Sequence, residues 1–163
     1  AKCTPFFEAL DGNASKVVDH GTVQAIANTI WAFATLGIEC PRLCHAIHDK
    51  ASFIVTKGLP QNIANVAWGL ATLGAPCPNL FQAINDNPSQ IIMNGRPQAI
   101  SNTAWAFATM GIEGRDFFQA IDDHATNVVV KGKPQEVANT IWAFATVGVP
   151  CPKLCVSIDD RAS

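Results

Sequence analysis

The chain repeats itself. The stretch QAIANTIWAFATLG (Gln24–Gly37) returns as QNIANVAWGLATLG (Gln61–Gly74), QAISNTAWAFATMG (Gln98–Gly111) and QEVANTIWAFATVG (Gln135–Gly148). The offset is 37 residues each time, and all four Trp (Trp31, Trp68, Trp105 and Trp142) occupy one position of the unit. A fixed period of this size, filled with helical pattern, is the signature of a solenoid. Such a unit buries its apolar face only by stacking on its neighbours. The expectation is therefore an all-α fold: a right-handed α-solenoid, or superhelix, of 37-residue helical-hairpin repeats. The chain reads as one array over residues 1–163, with a partial repeat at 1–23, repeats at 24–60, 61–97 and 98–134, and a final incomplete repeat at 135–163. Both ends fall inside repeats, so the expectation is a piece of a longer array.

Proline and glycine punctuate each unit. Pro60, Pro97 and Pro134 open helix A, and Pro41, Pro78 and Pro152 open helix B. The first helical turn accepts proline because its N–H has no partner there anyway. Gly37, Gly74, Gly111 and Gly148 close helix A, and Gly21, Gly58, Gly95 and Gly132 close helix B as helix-terminating glycines. Helix B carries aligned apolar positions: Phe6, Leu43, Leu80, Phe117 and Leu154, then Leu10, Ile47, Ile84, Ile121 and Ile158, then Val17, Ile54, Ile91 and Val128. Their spacing makes one buried helical face. Pro88 falls inside helix B of one unit, which predicts two helical pieces with a bend near residues 86–88.

On a helical wheel, Ile26, Ala27, Ile30, Phe33 and Ala34 cover most of helix A, as on a helix wedged between neighbours. One narrow stripe is polar: Gln24, Asn28 and Thr35 beside Trp31. It recurs unchanged as Gln61/Asn65/Trp68/Thr72, Gln98/Asn102/Trp105/Thr109 and Gln135/Asn139/Trp142/Thr146. Two readings are open. In the first, the Asn residues form a ladder, each amide bonding the backbone of the adjacent repeat. In the second, Asn28, Asn65, Asn102 and Asn139 line a groove and touch the uniform part of a repeating ligand. Residues that discriminate a heteropolymer should vary between repeats. On that ground the expected readers are Ala25, Asn62, Ala99 and Glu136, then Thr29, Val66, Thr103 and Thr140, and the turn residues Thr22, Leu59, Arg96 and Lys133.

The net charge is −2 and the pI about 6.0, so no global basic field draws the chain to nucleic acid. The cations are placed unevenly, however. His20, Lys57, Arg96, Lys131 and Lys133 cluster where helix B ends and helix A begins, and helix N-termini attract anions. Asp11, Asp49, Asp86, Asp122, Asp123, Asp159 and Asp160 gather in helix B, which predicts an acidic back opposite a basic edge. Six Cys are present, and Cys3, Cys40, Cys77 and Cys151 are equivalent. Cys40/Cys44 and Cys151/Cys155 lie four apart, but two thiolates alone do not complete a tetrahedral metal site. They read as small buried apolar residues, and no metal or other cofactor is expected. No run is long enough for a membrane span. With no nucleophile elbow, P-loop, HExxH or paired carboxylates, and with His45, His48 and His124 isolated, the chain is not expected to be an enzyme.

The run PQ-x-I/V-A/S-N-x-x-W-A/G-F/L-A-T-x-G resembles octotricopeptide and heptatricopeptide repeat proteins, and the repeats that precede RAP domains in organellar RNA-binding proteins. Pro60/Gln61, Pro97/Gln98, Pro134/Gln135, the four Asn, the four Trp and the closing glycines carry the resemblance, which covers the whole chain. Val23 departs from it in place of the proline, and no RAP domain is present. The resemblance implies an α-superhelix that binds single-stranded RNA in a mitochondrion or chloroplast, serving transcript stability, processing, translation or ribosome assembly. One base per helical repeat is the general precedent. The expected contacts are the amides and small residues above, with Lys57, Arg96, Lys131 and Lys133 on phosphates. The alternative is a protein–protein scaffold, for instance a structural subunit of an organellar ribosome or another large assembly, which the acidic pI favours.

Overall fold

Proline starts and glycine stops place most of the boundaries. The computed structural model describes residues 4–162, and every regular element among them is a helix. The first unit holds α1 (Thr4–Gly12), α2 (Ala14–His20) and α3 (Val23–Leu36). The second holds α4 (Pro41–Asp49), α5 (Ala51–Lys57) and α6 (Pro60–Leu73). The third holds α7 (Pro78–Asp86), α8 (Ser89–Ile92) and α9 (Pro97–Thr109). Then come α10 (Arg115–Asp123), α11 (Ala125–Lys131), α12 (Pro134–Val147) and α13 (Pro152–Ala162). Pro41, Pro60, Pro78, Pro97 and Pro134 all sit in the first turn, as expected.

Helix B breaks in every unit, not only at Pro88. The breaks fall at Asn13, Lys50, Asn87 and His124, one period apart, with backbones such as φ −106°, ψ 19° at Asn13 and φ −110°, ψ 23° at His124. A break frees carbonyls of the preceding turn. Asn13 Nδ2 donates to Ala9 O at 2.8 Å and Asn87 Nδ2 to Ala83 O at 3.1 Å. His124 Nδ1 lies 2.9 Å from Ala120 O, and since a carbonyl only accepts, that nitrogen carries the proton. Each unit is thus three helices rather than a hairpin. Asparagine marks two of the four breaks, a sequence signal that a search for proline alone misses.

The two sets of glycines act differently. Gly37 ends α3 in the left-handed region at φ 64°, where a side chain is strained, and its N–H bonds Ala34 O at 3.1 Å. Gly58, expected to end its helix in the same way, is extended at φ −75°. Its requirement is space: a Cβ there would lie 2.5 Å from Ile54 O and 2.9 Å from both Ile63 and Val23 side chains. The chain turns so tightly from α5 into α6 that only glycine fits.

The helices pack in two layers. In one, α3, α6, α9 and α12 lie side by side in chain order. In the other, α1/α2 pack on α4, α4 and α5 on α7, α7 on α10, and α10 and α11 on α13. The core lies between the layers. Ile26, Ile30, Phe33, Leu43, Ile47 and Ile54 are fully buried, as their spacing predicts. Alternating aromatic contacts run from layer to layer: Phe81 to Phe107 at 4.9 Å, Phe107 stacked on Phe117 at 5.0 Å, and Phe118 to Phe144 at 4.9 Å. The position held by Phe7, Phe81 and Phe118 is Cys44 in the second unit, and Cys40, Cys44 and Leu73 there line an open cleft of about 600 Å³.

Candidate functional site

The middle helices α6 and α9 have neighbours on both sides, so their one open face is informative. On α6, Gln61, Asn65 and Trp68 are half-buried and Thr72 is exposed, whereas Ile63, Ala64, Val66, Ala67, Leu70 and Ala71 are buried. On α9, Gln98 and Thr109 are exposed and Asn102 and Trp105 half-buried, with the remaining side chains of the helix mostly buried. The open face is the invariant stripe. Positions four, three and four residues apart share one side of a helix, so stacking parallel copies lays Gln beside Gln, Asn beside Asn and Trp beside Trp. The Trp68 and Trp105 ring centroids lie 6.5 Å apart with their planes tilted 31°.

Two of the four amide sets pair, and they do so within a helix, not between repeats. Gln61 Nε2 donates to Asn65 Oδ1 at 3.0 Å, and Gln135 Nε2 to Asn139 Oδ1 at 3.0 Å. This overturns the ladder reading of the Asn row. On α6 and α12 the pairing turns the Asn so that its NH₂ and the carbonyl oxygen of its Gln stay available, a donor beside an acceptor. Thr35 and Thr146 return their hydroxyls to Trp31 O and Trp142 O, both at 2.8 Å.

An inter-repeat ladder does exist, in the other layer. Asp11 Oδ1 accepts from Leu43 N at 2.8 Å, and Asp122 Oδ1 from Leu154 N at 2.8 Å. Asn85 Oδ1 accepts from Asp116 N at 3.0 Å and Phe117 N at 3.1 Å. Residues 11, 85 and 122 are equivalent, so each caps the N-terminus of the following unit's first outer helix from outside. His48 holds the same position and breaks the row. There the bond runs the other way, from Asn79 Nδ2 to His48 O at 3.3 Å. The expected acidic back therefore divides in two. Asp11 and Asp122 are capping groups, Asp122 being buried, while Asp49 and Asp123 are surface partners of His45 and Lys153. The signal in the sequence was the single-residue offset between the two sets.

Four of the twelve variable positions expected to read a ligand are closed. Ala99 is only 1% exposed, and Val66, Thr103 and Thr140 are buried. The threonine hydroxyls back-bond their own helix: Thr29 to Ala25 O, Thr103 to Ala99 O and Thr140 to Glu136 O, each at 2.8 Å. Ala25 is exposed and Asn62 and Glu136 half-buried. Glu136 is occupied, its Oε2 accepting from Lys133 N at 2.8 Å across the first turn of α12. The four buried positions face adjacent helices of their own row, and the packing seam tolerates different small or branched residues in each copy. Thr22 caps α3 by accepting from Ala25 N at 3.2 Å; Leu59, Arg96 and Lys133 make no such cap.

The cationic edge is present. Lys57, Arg96, Lys131 and Lys133 are exposed, and none of the four makes an ion pair among the described residues. Lys57 and Lys131 are the last residues of α5 and α11, where a cation also complements the helix dipole. Arg96 and Lys133 immediately precede α9 and α12, two residues from Gln98 and Gln135. The cations thus border the Gln end of the stripe.

The thiols meet the expectation of buried packing groups only in part: Cys44 and Cys151 are half-buried and Cys155 is exposed. Cys40 and Cys77 are buried; Cys3 lies outside the described residues. Burial pushes the Cys77 thiol up to about 11, and burial with a hydrogen bond to Cys155 pushes Cys151 up to about 11 as well. Cys40 and Cys44 approach to 3.8 Å and Cys151 and Cys155 to 3.9 Å, each pair hydrogen-bonded as free thiols. Among the described residues no group of three or more His, Cys, Asp or Glu side chains is arranged to hold a metal ion, and no helix is long and apolar enough to cross a membrane.

A comparison with curated proteins found no match. The model of one protein family does match, over residues 2–163. On that match, which covers nearly the whole repeat array, the chain belongs to the RNA-editing substrate-binding complex 6 protein family.

Proposed function

We propose that this chain is a non-catalytic RNA-binding module of a mitochondrial RNA-editing assembly, built as a right-handed α-solenoid of the octotricopeptide/heptatricopeptide kind. The observation that carries the reading is the open face of α6 and α9, where Trp, Asn and Gln recur in register beside unpaired cations. Aromatic faces stack unpaired bases whatever their identity. Side-chain amides bond the base edges that only a single strand exposes. Lys57, Arg96, Lys131 and Lys133 lie where a sugar-phosphate chain crossing the helix starts would pass. Of the two organelles that the repeat resemblance allows, we favour the mitochondrion, because RNA-editing complexes of this family are mitochondrial.

The test is a salt series with a mixed single-stranded RNA pool. Each neutralised phosphate contributes a slope of about −0.7 in log K against log salt for a single strand, so four cations predict roughly −3. A folded chain that binds no RNA at low salt would sink this reading. One observation favours a second reading, a protein-binding scaffold within the same complex: Leu59, Met93 and Val130 are 69%, 62% and 64% exposed along the edge that carries the cations. A protein partner held there would bind with little salt dependence and without involving Trp68 or Trp105.

A further inference from the structure

We infer that the stripe selects a homopolymeric tract, presenting the same base-reading group to each successive nucleotide rather than spelling a mixed sequence. This rests on the RNA-binding reading. The cations stand on a separate edge, at the Gln end of the stripe, so phosphates belong there and the bases lie over the amides and rings. No cation occupies the stripe itself, and tryptophan faces stack bases, not phosphates. In arrays that read one base per repeat, two or three side chains of the repeat choose the base. Here the side chains on the open face are the same in α6 and α9: Gln61 with Asn65, and Gln98 with Asn102. Identical readers select identical bases.

The residues that could have encoded a difference are withdrawn from the face. Ala99 is 1% exposed, and Val66 and Thr103 are fully buried. Of the varying helix positions on the two middle helices, only Asn62 and, at the far end of α6, Leu73 are partly open. The Gln61–Asn65 bond at 3.0 Å holds one amide donor and one acceptor side by side, matching the adjacent acceptor and donor on a base edge. The Trp68–Trp105 spacing of 6.5 Å makes the aromatic strip continuous from one repeat to the next, so consecutive bases meet the same surface. The phosphate edge, by contrast, tolerates change: Asn94 stands where Lys57 and Lys131 stand in other units.

The experiment measures binding of the whole chain to the four homopolymeric RNA 12-mers and to a mixed-sequence 12-mer, by anisotropy of labelled RNA at one low salt concentration, with tryptophan fluorescence as a second signal. One homopolymer should bind at least about tenfold tighter than the mixed strand and quench tryptophan. Asn65→Ala with Asn102→Ala should erase that preference while leaving the salt-dependent background. If the double variant does not fold, Gln98→Ala, on an exposed side chain, should reduce the same preference. Equal affinity for all five strands, or tightest binding to the mixed one, overturns the tract while RNA binding stands. No binding to any strand overturns both.

Discussion

Two rows of polar side chains cross this molecule at the same 37-residue interval. The outer row, Asp11, Asn85 and Asp122, turns inward and satisfies backbone N–H groups of the next unit at 2.8–3.1 Å. The Gln/Asn row turns outward, and the two amide bonds it makes, Gln61 to Asn65 on α6 and Gln135 to Asn139 on α12, each stay within one helix. Recurrence alone does not tell a structural ladder from a contact surface. The direction of the bond does, because an inter-unit cap adds stability whereas an intra-helix amide pair adds almost none and leaves hydrogen-bonding capacity free. The less regular row, interrupted by His48, is the structural one. The perfectly regular row is the open one.

This contrast can be broken or sharpened by substitution. The largest effect is expected on ligand affinity. Base–aromatic stacking is worth about 1–3 kcal/mol per base, so Trp68→Ala with Trp105→Ala should weaken RNA binding at least about thirtyfold in a titration. Unchanged affinity would remove the stripe from the interface. Next comes Asp122→Ala, which strips the cap from α13 and leaves the buried Leu154 N–H without its carboxylate. Loss of a cap and of a buried partner costs about 2 kcal/mol, or roughly 4–8 °C in thermal unfolding for a chain of this length, with RNA affinity untouched. His48→Asp should work in the opposite sense. It restores the carboxylate that Arg42 N and Leu43 N receive from Asp11, here for the start of α7, and should raise Tm by about 2–4 °C.

Asn65→Ala should change stability by no more than about 0.5 kcal/mol, because its bond is to Gln61 on the same helix. A melting shift as large as that of Asp122→Ala would make the two rows alike and defeat the comparison. The smallest effect is chemical. With the Cys77 thiol raised by burial to about 11, iodoacetamide at pH 8 should label exposed Cys155 well before Cys77, as peptide mass spectrometry would show. The stability carried by the neutral Cys77 thiol is full below the ordinary value of about 9 and falls as pH climbs toward about 11.

Much of the architecture could be read from pattern. Pro41, Pro60, Pro78, Pro97 and Pro134 each mark a helix start because their chemistry is local: a ring that fixes φ and lacks an N–H suits a first turn wherever it occurs. The burial of Ile26, Ile30 and Phe33 followed from spacing for a similar reason. The break in helix B is visible in the sequence only at Pro88, since at Asn13 and His124 the side chain bonds a carbonyl four residues back, without ring geometry, and at Lys50 no local side-chain bond marks it. Gly58 looks like an ordinary helix-ending glycine, although its need is room against Ile63 on the helix that follows and against Val23, which comes near only when two units stack. At the candidate site, the recurrence of Gln61, Asn65 and Trp68 is legible in the sequence, which leaves open whether the row faces a neighbour or solvent. The burial of Ala99 and Thr103 is not legible there, because variation at those positions looks the same whether it faces a ligand or a packing seam.

By itself, then, the sequence determined the period, the helical elements, the apolar faces and the two polar rows, because each is set by interactions within a few residues or by the need to bury an apolar stripe. Only the tertiary structure decided which row faces outward. That depends on where neighbouring helices lie around each one: α3 and α9 cover opposite flanks of α6, close over Ile63, Val66 and Ala67, and leave Gln61, Asn65 and Trp68 on the one side that no helix reaches.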